Sequence, residues 1–125
     1  FAYNLLGIAT DIVGSDVPVP PGDHELRAHF AYDGGGLGKG GTVSLFVDDK
    51  KIGEGRVSRS IPFQFTFDET VDVGCDLASP VSPDYQATGN EFSGELRKVV
   101  ISLGDDDHSH LIDAEHHYQV AMMKQ

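Results

Sequence analysis

The run Gly36-Leu37-Gly38-Lys39-Gly40-Gly41 satisfies G-x-G-x-x-G, a spacing that lets bare backbone approach a pyrophosphate when it joins a strand to a helix. Here the residues that follow, Thr42-Val43-Ser44-Leu45, alternate as a strand. Gly40 also stands where a phosphate-binding Walker loop needs a hydroxyl after Gly38-Lys39. The glycines therefore read as a turn or interface loop in which Gly34, Gly35, Gly36, Gly38, Gly40 and Gly41 supply open backbone and Lys39 one positive charge.

Three acidic or histidine groups could hold a metal by residue type. Asp105, Asp106, Asp107, His108 and His110 concentrate oxygen and nitrogen donors but lack the glycine and the closing acid of a calcium-binding EF-hand, so they read as a solvated hinge. Asp72, Asp76 and Asp84 flank a loop at which laminin-G-like sandwiches, which the segments Val43–Gly53, Val71–Gly74 and Phe92–Ile101 resemble, often hold calcium, so the resemblance implies that they are candidate ligands. His116 and His117 are adjacent, so on a helix they point about 100° apart and cannot form the i, i+4 pair of a zinc protease. No Ser, His and acid triad follows from sequence order, because triads are defined by geometry. Phe46 has the parity opposite to the apolar face of its strand, which makes it the candidate for an exposed or interfacial ring that could stack on a sugar or an aryl group.

The elements that must position these residues follow a period of two. Leu26, Ala28, Phe30 and Tyr32 alternate with Arg27 and His29, as expected of a strand with one buried face. Pro18-Val19-Pro20-Pro21-Gly22 forces a turn before it. Val43, Leu45 and Val47 form the next apolar face, and Asp48-Asp49-Lys50 turns the chain into Lys51–Val57. Ile52 and Val57 have opposite parity, so a bulge is expected at Gly53 or Gly55. Further strands are expected at Ile61–Phe67, at Val71–Cys75 and, with a twist near Arg97-Lys98, at Phe92–Leu103. Residues 76–90 read as a long loop. Ala114, Tyr118, Ala121 and Met122 have helical spacing, with Asp113 as N-cap. The expected architecture is an all-β antiparallel sandwich over residues 1–104, with a barrel as the alternative, and a polar hinge and a short C-terminal helix over 105–125.

With 9 basic against 20 acidic side chains and a net charge of −11, the chain repels nucleic-acid phosphates and anionic lipid surfaces. Neither is an expected partner. No apolar run approaches the roughly 20 residues of a membrane span. Cys75 is the only cysteine, which leaves no thiol for an internal disulfide or a zinc site. The chain starts at Phe1 without an initiator Met or a charged-then-apolar leader, and reads as a mature product or a piece of a longer protein.

Val43–Gly53, Val71–Gly74 and Phe92–Ile101 resemble, in order, segments of concanavalin A-like and laminin-G-like jelly-roll sandwiches. Over most of the chain, Tyr3-Asn4-Leu5-Leu6-Gly7, His29 to Gly41 and Pro80-Val81-Ser82-Pro83-Asp84-Tyr85 resemble the C-terminal region of large bacterial arylsulfatases. The resemblance implies a non-catalytic accessory domain, whose partner is a sulfatase catalytic domain of the same polypeptide and which could also support homo-oligomer contacts. In that family, formylglycine and a divalent metal hydrolyse the sulfate ester in the separate domain, at a Cys/Ser-x-Pro-x-Arg motif. Cys75-Asp76-Leu77-Ala78 departs from it, and Ser60-Ile61-Pro62-Phe63-Gln64 puts Gln where the Arg belongs, so this chain is expected to carry no catalytic residue and no cofactor. The alternative expectation is a free-standing carbohydrate-binding, lectin-like module with an aromatic hot spot.

Overall fold

A computed structural model describes residues 1–62, 71–77 and 79–104. These residues are all-β, with two antiparallel sheets and no helix among them. β1 (Ala2–Leu5) and β2 (Ala9–Ile12) form a hairpin. β3 (Leu26–Tyr32), β4 (Gly41–Val47) and β5 (Lys50–Val57) form a sheet with β4 in the centre.

The first hairpin turns through Leu6 and Gly7, both in the left-handed region (φ 51° and 72°). Gly7 adopts it without cost and Leu6 does not. Two bonds hold the pair of residues in place: the Asn4 side chain accepts the Gly7 amide at 2.7 Å and the Leu5 carbonyl accepts the Ile8 amide at 2.8 Å. At its open end Phe1 and Val13 exchange hydrogen bonds of 2.8 and 2.9 Å. In the second hairpin Asp48 occupies the left-handed region (φ 52°), which Asp tolerates better than most residues.

The alternation of β4 sets the layers. Val43, Leu45 and Val47 face inward with their β3 partners Phe30, Ala28 and Leu26. On β5 the register steps from Leu45↔Gly53 to Phe46↔Lys51, so Ile52 is the extra residue and the expected bulge lies beside Gly53. The glycines of β5 permit close approach. A Cβ on Gly55 would lie 2.7 Å from a Val13 methyl, and one on Gly53 would lie 2.5 Å from the Gly14 carbonyl oxygen. The chain leaving β2 thus rests directly on β5. Val13 completes a core with Val43 and Val57, against which Tyr3 and Leu45 pack.

The hairpin is also tied to the chain beyond β5. Asp11 accepts both the amide and the hydroxyl of Ser58 at 2.8 Å, and the Tyr3 hydroxyl accepts the Ile61 amide at 2.7 Å.

The strands expected at Val71–Cys75 and Phe92–Leu103 do not form: the described residues there have no ladder partner. Val71 is 79% exposed and Leu103 is 90% exposed. Alternation specifies which side of a strand would be buried, but a strand also needs a neighbour for its amides and carbonyls. One backbone bond, Phe92 N to Gly74 O at 2.6 Å, joins the two segments. The described residues of the loop expected over 76–90 form bends and turns. Most of the strand expected at Ile61–Phe67, and the hinge and helix over 105–125, lie outside the described residues.

Candidate functional site

The glycine loop is positioned by the strand ends that flank it. β3 delivers Tyr32 to its start and β4 takes over at Gly41. The Tyr32 hydroxyl donates to the Gly36 carbonyl and accepts the Lys39 amide at 2.9 Å, which closes the loop on itself. Gly34, Gly35, Gly36 and Gly38 have φ of 72°, 74°, 107° and 72°, a path L side chains resist. Around Gly34, Gly35 and Gly36 the space where a side chain would sit is open. Bare backbone is therefore presented outward there, next to the exposed Lys39.

Gly40 and Gly41 do a different job. Both are buried, and a Cβ would strike the Val57 carbonyl oxygen at Gly40 and the Phe30 ring at Gly41. Two further contacts fix the base of the loop: Asp33 N to Gly40 O at 3.0 Å and Ser60 N to Lys39 O at 2.9 Å. Arg56 adds a two-pronged ion pair to Asp33, one prong at 2.9 Å, and reaches Thr42 at 3.0 Å. That guanidinium holds the Asp33 carboxyl below the usual carboxylate range.

Phe46 is not near the glycine loop. It lies toward the far end of β4 from Gly41, on the outer face, half-buried, with the Arg27 guanidinium 4.5 Å over its ring. The cation covers one face of that ring.

The three candidate calcium ligands are each committed to loop closure. Asp72 accepts the Leu77 amide at 2.9 Å, Asp84 accepts the Ser82 hydroxyl at 2.7 Å, and Asp76 accepts the Tyr85 hydroxyl at 2.6 Å and the Val81 amide at 3.2 Å. The Asp76 carboxylate, and then burial, raise the Tyr85 phenol above its ordinary value. No group of three or more His, Cys, Asp or Glu among the described residues could hold a metal ion. Asp105 to His110 lie outside them.

One His–acid contact had no signal in the sequence. His24 Nδ1 lies 3.0 Å from Asp48, whose other oxygen accepts the Glu25 amide at 3.0 Å, while Asp48 N donates to Glu25 O at 2.7 Å. The pair fastens the proline-rich segment to the turn of the β4–β5 hairpin. Between them is a cleft of about 490 Å³ with Val17, Pro18 and Pro20 on one wall and Val47, Asp48 and Ile52 on the other. Among the described residues, no nucleophile of Ser, Thr or Cys type lines it. The Asp48 carboxylate raises the imidazole above its ordinary 6.5, helped by the Pro21 carbonyl. The Glu25 amide, then His24, lower Asp48.

A raised histidine contributes stability below 6.5 that is lost as pH rises through its folded value; a lowered carboxyl contributes stability that is lost as pH falls through its own. The clasp is thus tightest in the mildly acidic window between the two. In Asp48→Asn, His24 should titrate lower than in the parent chain, toward 6.5, when followed by NMR of its ring protons. An unshifted titration would rule out this contact in solution.

No helix of the described residues is long and apolar enough to cross a membrane. Comparison with family models finds no match to this chain, and comparisons with curated proteins and with solved structures likewise find none.

Proposed function

We propose that this chain is a non-catalytic accessory β-domain of an arylsulfatase, a jelly-roll sandwich closed by a C-terminal helix, that packs on a sulfatase catalytic domain and borders its cleft. The observation that carries the proposal is the glycine loop, closed by the Tyr32 hydroxyl and pinned at its base by Arg56–Asp33. A loop built in this way loses little freedom when another surface covers it. Its open backbone at Gly34, Gly35 and Gly36 admits a close neighbour. In a chain of net charge −11, Lys39 gives that edge a cation that a sulfate ester can approach. The resemblance of residues 29–41 to arylsulfatase C-terminal regions supports the same reading.

In the full polypeptide that carries this domain, Lys39→Ala should raise KM for an aryl sulfate about tenfold and leave kcat near its parent value, the loss of one charge-assisted contact. Unchanged steady-state kinetics would remove Lys39 and its loop from the substrate's path.

A further inference from the structure

Among the described residues β3 has one neighbour, β4, and no strand pairs with its other edge. The bonds Asp33 N to Gly40 O and Asp48 N to Glu25 O continue the β3–β4 register beyond both ends of the strand. Main-chain groups alternate along an antiparallel ladder. Arg27, His29 and Ala31 therefore direct theirs to β4, while Leu26, Ala28, Phe30 and Tyr32 direct theirs to the open edge. Little on the strand blunts it: residues 26–32 contain no Pro, no Lys and no bulge, the usual protections against pairing, and their one full charge, Arg27, is drawn over the Phe46 ring of β4. The inward side chains are uncovered as well, Leu26 at 60%, Phe30 at 40% and Tyr32 at 39%, because the β1–β2 hairpin lies over β5 instead.

We propose that this edge is a self-association surface, and that its occupant is β3 of a second copy of the chain, antiparallel about a two-fold axis at His29. That is the one centre that pairs all seven residues of the strand. It sets the outward-directed residues against each other, Ala28 opposite Phe30 and Leu26 opposite Tyr32 of the second copy, so their amides and carbonyls close into a ladder. The side chains are self-complementary in the same register, with small beside large and aliphatic beside aromatic. Arg27 meets Ala31 rather than another cation. In a chain with 20 acids, residues 26–32 hold none, and of the two acids that flank them, Glu25 and Asp33, the second is neutralised by Arg56, so the overall negative charge is locally reduced where the copies would meet. The surface is distinct from the glycine loop, and the proposal does not depend on the domain's proposed role.

Sedimentation of the 125-residue chain across micromolar to millimolar concentrations should give a reversible monomer–dimer equilibrium. Ala28→Pro removes only an outward-directed amide, so it should keep the β3–β4 ladder and weaken dimerisation at least about tenfold. Should that variant fail to fold, cross-linking decides. In a Cys75→Ser background, His29→Cys faces itself across the axis at roughly 4.5 Å between Cα atoms, the spacing of a pair that is not hydrogen-bonded and within reach of a disulfide. It should oxidise to a covalent dimer, and Arg27→Cys should not. A chain that stays monomeric throughout, a dimer indifferent to a folded Ala28→Pro, or equal cross-linking by both cysteine variants would overturn the proposal.

Discussion

Gly40→Ala is expected to destabilise the chain by about 3 kcal/mol, and Gly35→Ala, five positions earlier in the same loop, by about 1 kcal/mol. The difference lies in what each added methyl would meet. At Gly40 it strikes the carbonyl oxygen of Val57 and comes within 2.8 Å of that of Ser58. Both belong to backbone fixed by the β4–β5 ladder and by the Asp11–Ser58 bonds, so neither can step aside cheaply. At Gly35 there is nothing to strike, and only the left-handed φ of 74° resists a side chain. Gly41 should fall between them. Its methyl would meet the Phe30 ring, which is partly exposed and can swing away, but also the Ala31 carbonyl at 2.7 Å. Urea unfolding followed by circular dichroism reads this order from the midpoints. Equal midpoints for Gly40→Ala and Gly35→Ala would mean that β4 does not start where the structure has it.

Val43→Ala should cost about 2 kcal/mol by the same measurement, whereas Leu26→Ala, the loss of a larger side chain from the same face, should cost less than about 1 kcal/mol. Val43 is fully buried at the centre of the sheet and Leu26 is mostly exposed at its edge. The cavity left by Val43 also has little to fill it. Its partner on β5 is Gly55, which has no side chain, and the one above it is Val13, already in contact with β5. Among the described residues, the core of three valines with Tyr3 and Leu45 against it has few neighbours to redistribute the loss. If Leu26→Ala proved as costly as Val43→Ala, the β3 side of the sheet would be covered in solution.

How much of this could be read in advance depended on how local the cause was. β3, β4 and β5 were legible because Leu26 to Tyr32 and Val43 to Val47 alternate without interruption, and because the parity change between Ile52 and Val57 demands an extra residue. The β1–β2 hairpin was not: its strands are four residues each, and its turn puts Leu6 where a sequence reading expects Gly or Asn. Val71–Cys75 and Phe92–Leu103 carry an equally clear alternation yet form no strand, since a periodic pattern identifies a face and says nothing about a partner. At the site, the glycine loop announced itself by composition. Its fastening did not, because Arg56 meets Asp33 and His24 meets Asp48 across 23 and 24 residues, and no local pattern encodes a pair that only the sheet brings together. Parity singles out Phe46 as a ring off the apolar face of its strand, but the Arg27 that covers it lies on another strand.

The proposed role requires that the chain hydrolyse nothing unaided. Incubated with para-nitrophenyl sulfate and a divalent metal, the 125-residue chain should release no phenol above the buffer rate. Release that disappears on His24→Ala or Asp48→Asn would contradict the account, by making the His24–Asp48 clasp a reactive centre.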